Sequence, residues 1–171
     1  MADTTPDLDT LVTRLTDADA ALRADAAERL CRLGSAAAAA AVDLVRACGD
    51  ADDQVREWSV AALEELGPPP AGATPCLADL AAGQDPLVAY WAVTLLGRSG
   101  QSAAAAVPTL ALCLGADGPA VAERAAWALG KVGPAAAPAR EALARAAASA
   151  HPRLARLAGE ALTAIVAAEV R

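Results

Sequence analysis

The chain has no phenylalanine, one tyrosine and three tryptophans, so four side chains carry all of its aromatic surface. Histidine is scarcer still. His151 stands alone, just before Pro152 at a predicted helix start, where it reads as a structural residue. With it go the Ser/His/Asp and Cys/His nucleophile arrangements and every multi-histidine metal site. Cys31, Cys48, Cys76 and Cys113 form no C-x-x-C pair and have no histidine nearby, so neither a zinc site nor a disulfide framework is indicated. They read as small buried apolar residues, and no cofactor is called for.

Long runs of large apolar residues are also missing. The chain is 56% hydrophobic, but alanine inflates that total. No stretch approaches the roughly 20 larger side chains that a membrane helix needs. The alanine run from Ala36 to Ala41 ends at Asp43 and Arg46, so no span is predicted. The amino terminus, MADTTPDLDT, is acidic where a secretory signal would be basic and then apolar, which predicts a cytoplasmic location. Positive charge is scarce in the first half. Residues 1–85 hold 16 Asp/Glu against 6 Lys/Arg, whereas residues 86–171 hold 5 against 8. The net charge of −7 opposes counterion-release binding to phosphate backbones, so nucleic acid is not an expected partner. The acidic excess reads as what keeps an alanine-rich surface soluble.

What the sequence does have is repetition. Gly34, Gly67, Gly100 and Gly133 fall 33 residues apart. Leu30, Leu63, Leu96, Leu129 and Leu162 form a second column at the same period, and Leu11, Leu44, Leu77, Leu110 and Leu143 a third. Leu22, Val55, Val88, Val121 and Leu154 form a fourth. Registered columns of this kind mark a repeat array, each unit burying its apolar face only by stacking on the next.

Each repeat resolves into two helices. Leu22, Ala26, Leu30 and Leu33 lie at i, i+4, i+8 and i+11, a single helical stripe. Gly34 then supplies a helix stop, and a second helix is predicted over Ala36 to Ala47. Pro86, Pro119 and Pro152 share a column suited to a first helical turn. Small residues (Ala26, Ser59, Ala92, Ala125, Ala158) fill the column at which neighbouring layers would meet. After Gly67 the segment Pro68-Pro69-Pro70-Ala71-Gly72 predicts a rigid loop and a late start for the next helix. The predicted organisation is a single domain over residues 1–171. It has a half repeat at 1–16, repeats at about 17–49, 50–82, 83–115 and 116–148, and a terminal half repeat at 149–171. The first helix is placed at Pro6 to Leu15 and the last at Pro152 to Ala168, about ten in all.

VREWSVAALEELG (Val55 to Gly67), LRADAAERLCRLG (Leu22 to Gly34) and VAERAAWALGKVG (Val121 to Gly133) resemble the V-R-x-x-A-A-x-A-L-x-x-L-G helix of HEAT-like repeats of the PBS-lyase type. The resemblance covers essentially the whole chain and implies an all-α fold, a right-handed α-solenoid of HEAT-like helical hairpins. Its functions range over scaffolds, chaperone-like subunits, bilin lyases and a few DNA glycosylases, so the fold alone names no activity. The chain departs from the pattern at the usual arginine. Arg23 and Arg56 keep it, but Ala89, Ala122 and Ala155 replace it, which predicts weaker inter-repeat ion pairing in the second half.

At about 100° per residue, positions two, three and six after the Leu22 column point away from the buried stripe. They read Ala24, Asp25, Glu28; Glu57, Trp58, Ala61; Tyr90, Trp91, Thr94; Glu123, Arg124, Trp127; and Arg156, Leu157, Glu160. Every aromatic residue of the chain falls in these columns. The resemblance implies that they line a concave, ligand-facing surface. Stacked at about 8 to 10 Å per layer, Trp58, Trp91 and Trp127 would span roughly 20 Å, with Tyr90 beside Trp91 at the centre.

The predicted partner-binding residues are therefore Trp58, Tyr90, Trp91, Trp127, Glu57, Glu123, Arg124, Asp25 and Glu28. Aromatic anchors with a few charges make a recognition surface, and a protein or peptide partner is the first reading. A small hydrophobic or cationic ligand is also compatible, through cation–π attraction beside carboxylates. A second reading is a biosynthetic enzyme of cyclase or isomerase type that uses the same groove, with Glu57 or Glu123 as acid or base. A HEAT-like DNA glycosylase is a distant third, because the basic phosphate-binding surface is missing.

Overall fold

The computed structural model describes residues 7–167, and these contain ten α-helices, four 3-10 segments and no strand. They divide into two compact units, Met1–Gly67 and Pro68–Arg171. The first holds α1 (Leu8–Arg14), α2 (Ala20–Leu33), α3 (Ala41–Ala47) and α4 (Asp53–Glu65). The second holds α5 (Thr74–Ala81), α6 (Pro86–Arg98), α7 (Val107–Cys113), α8 (Pro119–Val132), α9 (Arg140–Ala147) and α10 (Pro152–Ala167). Pro6 and Ala168, the predicted outer limits of the first and last helices, lie outside the described residues.

Helix starts follow the repeat. Asp19, Asp52 and Asp85, again 33 apart, cap α2, α4 and α6 by accepting hydrogen bonds from the first free N–H groups. At the fourth position Gly118 stands in for the aspartate, and Pro119 presets the first turn of α8. Helix ends follow it as well. Gly34, Gly100 and Gly133 turn the chain at φ of 54°, 55° and 70°, a region that a side chain penalises. Gly67 is not among them, because Leu66 is already extended (ψ 104°) as the chain enters the proline segment.

Two predicted boundaries shift. The second helix of the first repeat does not begin at Ala36. Gly34–Ala40 winds as a 3-10 segment, and the α-helix covers only Ala41–Ala47. The reason is packing: with three residues per turn, Ala37 and Ala40 stack on one face, and both are fully buried. Ala103 with Ala106 and Ala136 with Ala139 repeat the device. The prolines after Gly67 shorten that 3-10 segment to Ala71–Ala73 but do not delay α5. The second helices begin at 41, 74, 107 and 140, all in register.

The core is the set of leucine columns. Leu11, Leu44, Leu77, Leu110 and Leu143 are essentially inaccessible, as are Leu30, Leu63, Leu96 and Leu129, while Leu162 is half-buried. Each fully buried leucine contributes roughly 1.5–3 kcal/mol relative to an exposed one. The stripe of α2 departs from expectation at both ends, where Leu22 is 41% and Leu33 38% exposed. Among the described residues only the seven-residue α1 precedes α2, and at 1.5 Å per residue it cannot cover a helix of 14 residues. Cys48 and Cys113 are buried as predicted, but Cys31 is partly accessible and Cys76 is exposed.

The predicted weakening of inter-repeat ion pairing does not appear. Glu123 and Arg153 pair across repeats in the second half as Arg23 and Asp50 do in the first. What differs is the arginine column itself. Arg23 grips Asp50 through Nε and Nη2 (2.7 and 2.8 Å) and donates to the carbonyls of Asp17 and Ala18. Arg56 donates to the carbonyls of Asp50 and Ala51 and pairs with Asp53. The Arg23 guanidinium holds the Asp50 carboxyl below the usual carboxylate range. In the second unit Ala89 and Ala122 are instead buried against neighbouring helices.

Candidate functional site

In the second unit, α6, α8 and α10 each bring at least one residue of the three chosen columns to a common hollow. Tyr90 comes from α6, Glu123, Arg124 and Trp127 from α8, and Leu157 from α10. With Ala120 and Arg153 they line one hollow of about 190 Å³. Arg124 is its centre. Its guanidinium lies 4.8 Å from the Tyr90 ring centroid and 5.1 Å from that of Trp127, and Nη2 donates to the Tyr90 hydroxyl. Contact with two rings and a hydrogen bond to one of them restrict a side chain that would otherwise sample many rotamers.

Trp127 is placed by a gap in the neighbouring helix. A Cβ on Gly97 of α6 would collide with the six-membered ring of Trp127, so only glycine admits the indole there. Lys131, one turn further along α8, sits 5.9 Å from the Trp127 centroid. Beyond Trp127 a second hollow of about 310 Å³ is lined by Gly130, Lys131, Leu157, Glu160 and alanines of α8 and α10. The two hollows share Trp127 and Leu157 as a common ridge. Both carboxylates of the groove are engaged: Glu123 pairs with Arg153 (3.1 Å) and Glu160 with Arg156 (2.5 Å).

The other predicted residues lie elsewhere. Trp91 does not project into the groove: it is only 6% exposed and meets Tyr90 edge-on at 5.6 Å, with Arg98 5.9 Å from its ring. Its neighbour in the same surface set, Thr94, is buried too and donates to the Tyr90 carbonyl. The two belong with the apolar residues of α6, whose sequence from Val88 to Gly97 is buried apart from Tyr90. In the first unit Trp58 is 37% exposed and Glu57 is exposed, while Asp25 and Glu28 pair with Arg29 and Arg32 of their own helix. A larger hollow of about 610 Å³ lies at the turn edge of the second unit, among Ala82, Pro86, Ala89, Leu112, Cys113 and Val121, and no predicted site residue reaches it. There the Cys113 Sγ donates to the Ala81 carbonyl, and burial pushes its thiol pKa up, away from nucleophilic character. Among the described residues no group of three or more His, Cys, Asp or Glu could hold a metal ion. None of the described helices is long and apolar enough to cross a membrane.

The family described as HEAT repeats matches residues 74–163, more than half of the chain. The chain belongs to the HEAT-repeat family. Solved structures agree on the fold. The complex of CpcE and CpcF of phycocyanin lyase from Nostoc sp. PCC7120 is 23% identical over 99% of this chain and 70% of that chain, with a TM-score of 0.66. An engineered protein is 22% identical over 94% and 81%, with a TM-score of 0.70. A designed armadillo repeat protein in complex with the peptide (KR)4 is 19% identical over 92% and 81%, with a TM-score of 0.67. At these identities the likeness shows an all-α repeat solenoid and nothing of activity. No curated protein sequence matches the chain.

Within this HEAT-repeat fold, Arg153 and Gly97 were not singled out by sequence reasoning. Arg153 stands one residue before the Leu154 core position and outside the three chosen columns, yet it ion-pairs across layers with Glu123. A signal for Gly97 did exist: Gly97 and Gly130 are 33 apart inside helices, where glycine costs about 1 kcal/mol and needs a reason. That reason is close helix approach, since a Cβ on Gly130 would come within 3.3 Å of the Ala161 Cα.

Proposed function

We propose that this protein is a HEAT-repeat binding module that takes a segment of a partner protein along the α6/α8/α10 face, with Tyr90, Arg124 and Trp127 as anchors. The observation that carries this reading is the pair of adjoining hollows on either side of the Trp127–Leu157 ridge. Sites for small molecules run on the order of 300–1,000 Å³ as a single chamber. The hollow at Arg124, at about 190 Å³, is below that range and suits one side chain, and its neighbour, at about 310 Å³, reaches only the lower end. A linear segment crossing the ridge fills both hollows at once. Peptide recognition by a repeat protein of similar fold, the designed armadillo protein bound to (KR)4, supports the mode of binding. The catalytic alternative draws less support. Glu123 is engaged with Arg153, and Glu57 is an exposed residue of the other unit.

The test is selection from a random peptide display library on the full chain, followed by affinity measurement on Trp127→Ala and Tyr90→Ala. Aromatic anchors of this kind are worth roughly 2 kcal/mol or more, so selected peptides lose at least about 30-fold in affinity on the Trp127 substitution. Peptides that bind both variants as well as the parent chain would place the interaction elsewhere and end this reading.

A further inference from the structure

The charges in the α8/α10 groove are unevenly matched. Each of its two carboxylates is already held by an arginine of α10, Glu123 by Arg153 and Glu160 by Arg156. Its two other cations, Arg124 and Lys131, lie against the Trp127 ring, and neither has a carboxylate partner among the described residues. Arg124 spends one donor on the Tyr90 hydroxyl, and the rest of its planar fork is uncommitted. In accepting that bond, the Tyr90 hydroxyl keeps its own proton to donate. A restricted guanidinium and a phenol at the mouth of a one-side-chain hollow form a receptor for a planar anion. The match is best for a carboxylate, which takes two parallel N–H bonds from one arginine.

Resting on the reading of this face as a peptide groove, we propose that the segment it takes is acidic. A Glu or Asp carboxylate seats against Arg124 and Tyr90, and a second acidic residue lies near Lys131. The sign is specific to this region. The protein as a whole is acidic, but residues 86–171 carry 8 Lys/Arg against 5 Asp/Glu, and the groove lies within them. An acidic segment is thus repelled by residues 1–85, with 16 Asp/Glu against 6 Lys/Arg, and drawn to the half that holds this face, which sets register as well as affinity.

The probe is a fluorescein-labelled short peptide of alternating Glu and Ala, compared with its Gln and Lys counterparts and with free glutarate, titrated into the full chain at low ionic strength. The Glu peptide binds roughly ten-fold or more tighter than the Gln peptide, and added salt erodes the difference. Arg124→Gln removes the preference. Arg124→Lys restores little of it, because an ammonium has no planar fork. Glu123→Gln strengthens binding of the Glu peptide several-fold by removing a like charge and releasing Arg153, a gain that misfolding cannot produce. No preference for Glu over Gln, a preference for Lys, or a preference that survives Arg124→Gln overturns the proposal. If Glu and Gln peptides bind equally and both are lost in Trp127→Ala, the groove is a peptide site of another chemistry. If glutarate displaces the peptide at comparable concentration, the carboxylate comes from a small molecule and the acidic-segment source is wrong.

Discussion

In Met1–Gly67 the first helices of successive repeats are tied to the turns before them by arginine, while in Pro68–Arg171 the same column is alanine. Arg23 and Arg56 together reach four backbone carbonyls and Asp50. The second unit holds Ala89 and Ala122 in this column, and Arg153 with Glu123 is an ion pair across its layers. It also brings helix backbones together, with Gly97 opening α6 to Trp127 and Gly130 opening α8 to Ala161. One 33-residue repeat thus accepts two ways of joining layers, polar links through loops or close contact through small residues. Close contact also builds the site. The indole that fills the space over Gly97 is the same one on which Arg124 and Lys131 rest.

The largest effect that separates the two modes is expected at this glycine. Gly97→Val drives a branched side chain into the Trp127 ring and costs about 1–3 kcal/mol by overpacking. It also evicts the indole, so the melting temperature falls and tryptophan emission shifts toward that of a hydrated ring. Cys31 occupies the same column 66 residues earlier and is only partly buried. Cys31→Val is expected to stay within about 1 kcal/mol. Equal losses at the two positions would mean that the second unit does not depend on close approach.

A smaller effect is predicted for the arginine ladder, and it depends on pH. Arg23 lowers the Asp50 pKa in the folded state relative to the unfolded chain. That pairing therefore stabilises above the unfolded carboxylate range, near pH 4, and is lost as pH falls through the folded value. Asp50→Asn should lower the melting temperature by a few degrees at neutral pH, with the gap to the parent chain closing on acidification. A constant gap from neutral to acid pH would show that the Asp50 charge is not what stabilises, since asparagine keeps an acceptor for the Asp52 N–H.

How much of this was legible in the sequence varied with the scale of the feature. The repeat, the core columns and the loss of the column arginine in the second half all follow from residues 33 apart, because stacking imposes one environment on each column. Side-chain direction was less secure. The three chosen columns hold Tyr90, Arg124 and Trp127, which do line a hollow, and also Trp91 and Thr94, which are buried. A rotation of 100° per residue assigns a face but not how far neighbouring elements wrap around it. The 3-10 segments were missed for a related reason. A run of alanines has no periodicity of its own, and burial of every third one selects the tighter winding. Cross-layer partners such as Arg153 with Glu123 depend on side-chain reach between helices, which a column pattern does not encode.

The smallest predicted effect sits in the column that sequence read most simply. Ala26, Ala92, Ala125 and Ala158 fill four of its positions and Ser59 the fifth, all fully buried. The Ser59 hydroxyl has no hydrogen-bond partner among the described residues, so the first unit carries a desolvated polar atom where the second carries a methyl group. An unpaired buried hydroxyl costs roughly 1–3 kcal/mol, and serine is also a weaker helix former than alanine by a few tenths. Against this, Ser59→Ala forfeits only the dispersion contacts of one small atom. The substitution should therefore stabilise by about 0.5–1 kcal/mol, read as a higher urea midpoint at an unchanged m-value. A loss of stability would mean that the hydroxyl is satisfied in solution. The first unit would then rest on a polar link inside its helices as well as the ones that run through its turns.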